Sequence, residues 1–378
     1  MKLELPYGRA PYLLDLEDRE AEVIRAPALT QPRAVDELID VALMSQPLGC
    51  AGGDRVTVIL SDATRAEPRV AFLRALREHL PSVRLTIAIA TGTHGPTNLD
   101  ELGIPAGLLS SATIVNHDGH ADADLVDLGT TSRGTPARIH RCVVETDLVI
   151  ATGCIRPHYF AGFGAGVKAI FPGLGQATAI RVNHRLKTEP RSRAGIVDGN
   201  PCRDDIEEAV SFVSARVFLL NGVCGPGDQV RAVVAGDPAS AFREGVALAR
   251  PWFTVRSRPA PVVIASDEPP VTASLYQAAK IAAAAAPLVE PNGTLVVVAE
   301  CADGVGPLEV VNEAIFRIGV LPRLPSGARL FLVSSLPRDQ VDQTLLEYAD
   351  SPASVIRSSD GRILVLPRAS HLLCEASS

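Results

Sequence analysis

One lysine, two histidines and a run of glycines share the stretch from Thr152 to His184, TGCIRPHYFAGFGAGVKAIFPGLGQATAIRVNH. Glycine at this density is conformationally costly, so the chain must need positive φ or close backbone approach there. A bound, phosphorylated small molecule accounts for that need. A P-loop is excluded, because Val167 separates Gly166 from Lys168 and Ala169 follows. Gly162-Phe-Gly164-Ala-Gly166 is only a partial match to a dinucleotide fingerprint. Two further clusters carry reactive groups. In Ser61-Asp62-Ala-Thr64-Arg65, Arg65 offers a planar fork for a carboxylate or phosphate, and Asp62 can take ribose hydroxyls or orient a histidine. In Thr91-Gly-Thr-His94-Gly95-Pro, His94 stands just before a turn.

These residues need a scaffold, and the pattern supplies one. Apolar runs at 54–60, 84–90 and 148–152 read as buried strands, and each ends on one of the three clusters. Helical spacing at 34–44, 68–80, 204–215 and 239–249 alternates with them, as do strands at 217–221 and 230–235. After Gln176, the residues Ala177, Ile180, Arg181 and His184 fall on one side of a helix. Strands alternating with helices imply βαβ units and a mainly parallel sheet, whose ligands bind beyond the carboxyl ends of the strands. All three clusters then face one crevice. The segment 112–138 reads as a loop-rich hairpin, with His117 and His120 as solvated loop residues. Past a break at Pro251–Arg258, strands at 261–265, 293–300, 329–334 and 362–366 alternate with helices at 273–286, 308–318 and 340–348. In the first of those helices, Tyr276, Gln277 and Lys280 can share a face.

The run Arg156-Pro-His158-Tyr-Phe-Ala-Gly-Phe-Gly-Ala-Gly-Val-Lys168, then Phe171-Pro172-Gly173 and Asn183-His184, resembles the signature of the nickel-pincer lactate racemase family. The likeness extends from Ser61 to at least Lys280. It implies that Lys168 carries a pyridinium-3,5-bisthiocarboxylic acid mononucleotide whose nickel is completed by His184. It further implies His94 and His158 as acid/bases, and Arg65, Tyr276, Gln277 and Lys280 as substrate-facing groups. Asp62, Thr64, Gly164, Gly166, Pro172 and Gly173 are then expected around the cofactor. The implied activity is racemisation or epimerisation of a 2-hydroxy acid by hydride transfer. Where the family has arginine after the first histidine, this chain has Gly95, which leaves the substrate's identity open. The alternative is a nucleotide- or metal-binding protein of the same fold without racemase activity.

The whole chain sets the outer bounds. Its 378 residues suggest two α/β domains with Rossmann-like, mainly parallel sheets and helices on both faces. The expected division is a catalytic domain at 1–255 and a smaller domain at 256–378 that closes over the substrate, with the site in the cleft between them. A net charge of −7 leaves no basic stripe for nucleic acid. No apolar run is long enough to span a bilayer, and MKLELPYGRA has no secretory core, so the expected location is cytoplasmic. Seven scattered cysteines without a C-x-x-C pair make neither a disulfide framework nor a zinc ribbon, and only Cys154 lies in the glycine-rich stretch. The expected partners are a small 2-hydroxy acid and, transiently, the enzymes that make the cofactor.

Overall fold

The computed structural model describes residues 1–357 and 361–377. The chain divides into two units, Leu29–Trp252 and a second made of Met1–Ala28 together with Phe253–Ser378. In the first, strands β1 (Arg55–Ser61), β2 (Arg84–Ala90), β3 (Thr113–Asn116), β4 (Leu148–Ile155), β5 (Arg216–Cys224) and β6 (Val230–Gly236) form one sheet. Their order is β6-β5-β4-β1-β2-β3, and every pair is parallel except β5 with β6. Val56, Val58, Ile59 and Leu60 of β1 are essentially inaccessible. Such an unbroken apolar run marks a strand covered on both faces. Helices α1 (Val35–Ser45) and α2 (Arg69–His79) bring Ile39, Leu43, Phe72 and Leu76 into the core that holds Val58 and Leu60. Each such side chain contributes about 2 kcal/mol by leaving water.

Helices α3 (Ala177–Arg185), α4 (Pro201–Ser211) and α5 (Pro238–Phe253) complete this part of the chain. The start of α4 is written locally. Pro201 takes the first turn, where its missing N–H costs nothing, and the Asn200 side chain accepts from the Arg203 amide.

Two expectations for this unit change. Within 112–138, Thr113–Asn116 extends the sheet as β3, and the hairpin comes later, Leu125–Thr130 pairing with Pro136–His140. His117 is no solvated loop residue, for it is fully buried. Its Nε2 donates to the Gly175 carbonyl at 3.0 Å, and its own carbonyl accepts from Thr91 Oγ1 at 2.8 Å. His120 is exposed as expected.

The second unit holds a parallel sheet of β7 (Ala260–Ser266), β8 (Val289–Val298), β9 (Arg329–Val333), β10 (Glu347–Tyr348) and β11 (Ile363–Leu366), in the order β10-β9-β8-β7-β11. Residues Glu22–Val23 pair in parallel with β11 at its outer edge. The hairpin of Lys2–Leu5 and Tyr12–Asp15 adds Leu5, Leu14 and the following Leu16 to the core around Val262, Ile264 and Val365. The first 28 residues therefore group with the C-terminal part of the chain. The helix expected over 340–348 shortens to Arg338–Val341, and Glu347–Tyr348 becomes the edge strand β10. There Glu347 meets Arg329 of the neighbouring strand in an ion pair. Among the described residues no helix is long and apolar enough to cross a membrane.

Candidate active site

Because β1, β2 and β4 are parallel neighbours, the residues that follow them emerge at one edge of the sheet. A cavity of about 330 Å³ opens there. Its lining includes Asp62, Arg65, His94, Arg156, His158, Lys168 and His184, all from Leu29–Trp252.

Asp62 is nearly inaccessible and accepts at Oδ1 from the amide and hydroxyl of Thr64, at 3.1 and 2.5 Å. Its Oδ2 lies 2.7 Å from His94 Nδ1. Burial pushes the Asp62 carboxyl up, yet the hydrogen bonds from Thr64 and His94 and the charge of Arg65 outweigh it and hold the group below its ordinary value. An ionised carboxylate only accepts, so Nδ1 of His94 must carry the ring proton and Nε2 keeps its lone pair. His158 has the opposite arrangement. Its Nδ1 accepts the Ala161 amide at 3.2 Å, which leaves Nε2 protonated in the neutral ring. One histidine thus presents an acceptor and the other a donor.

The glycine-rich loop between His158 and α3 is held by its neighbours. Ala165 has φ +60° and ψ −154°, a conformation that side-chain-bearing residues rarely adopt. Its carbonyl accepts from Arg203 Nη1 at 3.3 Å, and the next amide, Gly166, donates to Asn221 Oδ1 at 2.8 Å. At Gly166 (φ +66°) a Cβ would come within 2.7 Å of Arg203 Nη2 and 2.8 Å of the Phe242 ring. At Gly173 a Cβ would run into the Ala169 carbonyl and come within 2.9 Å of Ala90 Cβ, at the end of β2. The glycines therefore let this loop lie against both a buried arginine and the sheet. Just past the strained residue comes Lys168.

Burial lowers the Lys168 amine to about 8, opposed by Cys202 and assisted by the charges of Arg203 and Arg65. His184, in the last turn of α3, is pushed down to about 3 by burial and by the charges of Lys168 and Lys187, so its imidazole is neutral. The Phe160 ring stands edge-on to both histidines, with centroids 4.7 Å from His158 and 5.1 Å from His184. Arg156 pairs with Asp228. The Arg65 guanidinium has no hydrogen-bond or ion-pair partner among the described residues, and burial depresses its pKa. An unpaired guanidinium in a cavity is a ready partner for an anion.

The sheet and loop thus bring together Asp62, Arg65, His94, His158, Gly164, Lys168, Pro172, Gly173 and His184. Thr64 and Gly166 are not part of this lining; one is bonded to Asp62 and the other to Asn221. Tyr276, Gln277 and Lys280 belong to the other unit, on α6 (Leu275–Ala285), where Lys280 Nζ donates to Gln277 Oε1 at 2.6 Å. Phe160 and Glu67 also line the cavity and were not singled out by sequence, whereas Cys154, noted there for its place in the glycine-rich stretch, lines it as well. Phe160 could have been found, since it lies two residues from His158 inside the signature.

Parallel strand ends that hold a carboxylate–imidazole pair, a second imidazole and a buried lysine have the make-up of an active site in an α/β enzyme. The model of the lactate racemase N-terminal domain matches residues 7–195. The lactate racemase of Thermoanaerobacterium thermosaccharolyticum is 30% identical over 323 residues, 80% of this chain and 75% of that protein. The lactate racemase of Lactiplantibacillus plantarum is 27% identical over 322 residues, 80% and 76% of the two chains. The structure of the T. thermosaccharolyticum lactate racemase apoprotein matches with a TM-score of 0.84 at 25% identity, over 99% of this chain and 100% of that one. A Thermotoga maritima protein matches with a TM-score of 0.66 at 18% identity, over 93% and 100% of the chains, which speaks to the fold alone. The chain belongs to the lactate racemase family and is an isomerase of that type.

Proposed function

We propose that this enzyme interconverts the stereoisomers of a 2-hydroxy acid, with His94 and His158 as the acid/bases and a nickel-pincer nucleotide joined to Lys168 and gripped by His184. One observation carries the reading. A lysine that loses its proton near pH 8 and a histidine that stays neutral line the same cavity as His94 and His158. An amine in that state suits covalent attachment, and a neutral imidazole suits a metal. Among the described residues no group of three or more His, Cys, Asp or Glu side chains stands ready to hold a metal. The donor set at Lys168 and His184 therefore fits a metal that arrives with donor atoms of its own.

When bound, that group supplies a hydride acceptor. The protein's residues supply the rest. Removing an α-proton beside a carboxylate is unfavourable, whereas the hydroxyl proton is within the range of a histidine base. His94, its Nδ1–H held by Asp62, takes that proton at Nε2. The resulting 2-keto acid is planar, and a proton delivered to its oxygen by the second histidine, acting from its imidazolium form, accompanies formation of the other isomer. Arg65, whose guanidinium makes no hydrogen bond or ion pair among the described residues, holds the substrate carboxylate.

The test is a panel of enantiopure 2-hydroxy acids, followed by chiral chromatography, with protein made alongside the cofactor-synthesis enzymes. Mass spectrometry of the peptide bearing Lys168 accompanies it. An adduct together with interconversion of at least one acid supports the reading. A loaded protein that inverts none of them overturns it.

A further inference from the structure

The loop that carries Asp62 and Arg65 is fixed by two residues that touch neither the imidazoles nor Lys168 in any hydrogen bond of the described structure. Arg69, in the first turn of α2, is almost wholly buried. Its Nε donates to the Ser61 carbonyl at 2.8 Å, and its Nη2 donates to the Asp62 carbonyl and, at 2.6 Å, to the Arg65 carbonyl. One guanidinium thus spans the backbone on both sides of the Asp62 and Thr64 side chains. Glu67 closes the turn from the other direction. Its Oε2 accepts the Ser61 amide at 2.6 Å, and its Oε1 meets Thr152 Oγ1 on β4.

The Thr152 hydroxyl faces two acceptors, Glu67 Oε1 and, at 2.7 Å, the Ile59 carbonyl, so the carboxyl is tied to both β4 and β1. Burial raises the pKa of Glu67, opposed by the hydrogen bonds from Thr152 and Ser61 and by the charge of Arg69, whose Nε is 3.9 Å away.

We propose that Arg69 and Glu67 are positioning residues for the racemase reaction, locking the Ser61–Arg65 turn to β1 and β4 so that Asp62 meets His94 and Arg65 points into the cavity. The inference rests on the function proposed above for its catalytic consequence, but its structural content can be read without activity. Removing the guanidinium frees three carbonyls at once, and a misplacement of about 1 Å in a catalytic group costs on the order of 100-fold in rate.

The experiment compares R69Q, R69K, E67A and E67Q with wild type. Amide exchange at Thr64 and Arg65 should rise at least about tenfold in R69Q and E67A, the expected order for loss of a buried hydrogen bond. In specifically assigned ¹⁵N-histidine spectra, His94 should lose its Nδ1–H tautomer in the same two variants. R69K keeps the charge but gathers its donors on one nitrogen in place of the planar fork, and should fall between. E67Q keeps a side chain of the same length that can bond both Thr152 and the Ser61 amide, so it should restore both readouts relative to E67A. In the cofactor-loaded enzyme, kcat should fall about 100-fold in R69Q, with KM changed less. Unchanged exchange and tautomer in both R69Q and E67A would overturn the inference, as would altered readouts with an undiminished kcat. Should R69Q fail to fold, the contrast between E67A and E67Q decides alone. A wild-type enzyme inert toward every 2-hydroxy acid would remove the proposed reaction, while exchange and tautomer still judge the lock.

Discussion

His94 Nδ1 lies 2.7 Å from Asp62 Oδ2, joining residues that follow two adjacent parallel strands. The carboxylate is inaccessible and already bonded to Thr64, whereas half of the imidazole's surface is open. A buried, fixed acceptor beside a more accessible ring selects one tautomer and aims the unprotonated nitrogen outward. That geometry is the one the proposed function asks of an oriented base.

Replacing either acid/base histidine should separate chemistry from assembly. H94A and H158A are expected to lower the rate of interconversion by about 100-fold or more, the usual worth of a positioned acid/base. The adduct on Lys168 should persist in both, as read by intact-protein mass. Racemisation at the wild-type rate by H158A would show that the assignment is wrong.

Lys168 should be the lysine that reacts at the lowest pH in protein made without the cofactor-synthesis enzymes. Its pKa lies below the ordinary lysine value, so the neutral amine appears as the pH rises through about 8, well before surface lysines at about 10.4 deprotonate. Labelling with trinitrobenzenesulfonate, followed by peptide mapping across pH 6–11, gives the profile. A midpoint near that of surface lysines would contradict the burial argument.

Nickel retention should depend on His184. Burial, with the charges of Lys168 and Lys187, puts the imidazole's titration near pH 3, so proton competition for that nitrogen is absent at neutrality. In H184A, metal analysis should find nickel lost from a protein whose Lys168 adduct remains. Full nickel content in that variant would move the ligand elsewhere.

Acid should loosen the Leu29–Trp252 unit through His117. Burial lowers this ring to about 4, with a smaller contribution from His140 and with Gly175, Asp118 and Asp124 opposing. The folded state prefers the neutral ring, so its stability is whole above about 6.5 and declines as the pH falls toward 4. The loss amounts to about 3 kcal/mol. Nε2 donates to Gly175 and Nδ1 is buried without a partner, so a second proton has nowhere to go. Urea titrations between pH 7 and 4 should show a flatter acid limb for H117Q than for wild type, and equal slopes would refute the assignment.

What the sequence displays and what it hides divide along physical lines. The strand at 84–90 is legible to the residue, because a buried parallel strand is a nearly continuous apolar run. The convergence of Asp62, His94 and His158 follows from the same reading, since polar residues that end such runs collect at one sheet edge. His117 is hidden: in sequence it stands among aspartates and glycine, and only the distant Gly175 carbonyl and Thr91 hydroxyl explain its burial. Glu67 and Arg69 look like an ordinary helix entry, because their bonds run to the backbone of the preceding turn and to Thr152. The helix expected over 340–348 fails because Glu347 finds Arg329 on a neighbouring strand, a pairing that local spacing does not encode.

The segment Met1–Ala28 finishes a sheet whose other strands begin only at Ala260. During synthesis the amino-terminal hairpin must wait, its Leu5, Leu14 and Leu16 uncovered, until more than two hundred later residues have left the ribosome. A fragment stopping at Trp252 would carry those leucines permanently bare, and so would invite aggregation that the remainder of the chain does nothing to provoke.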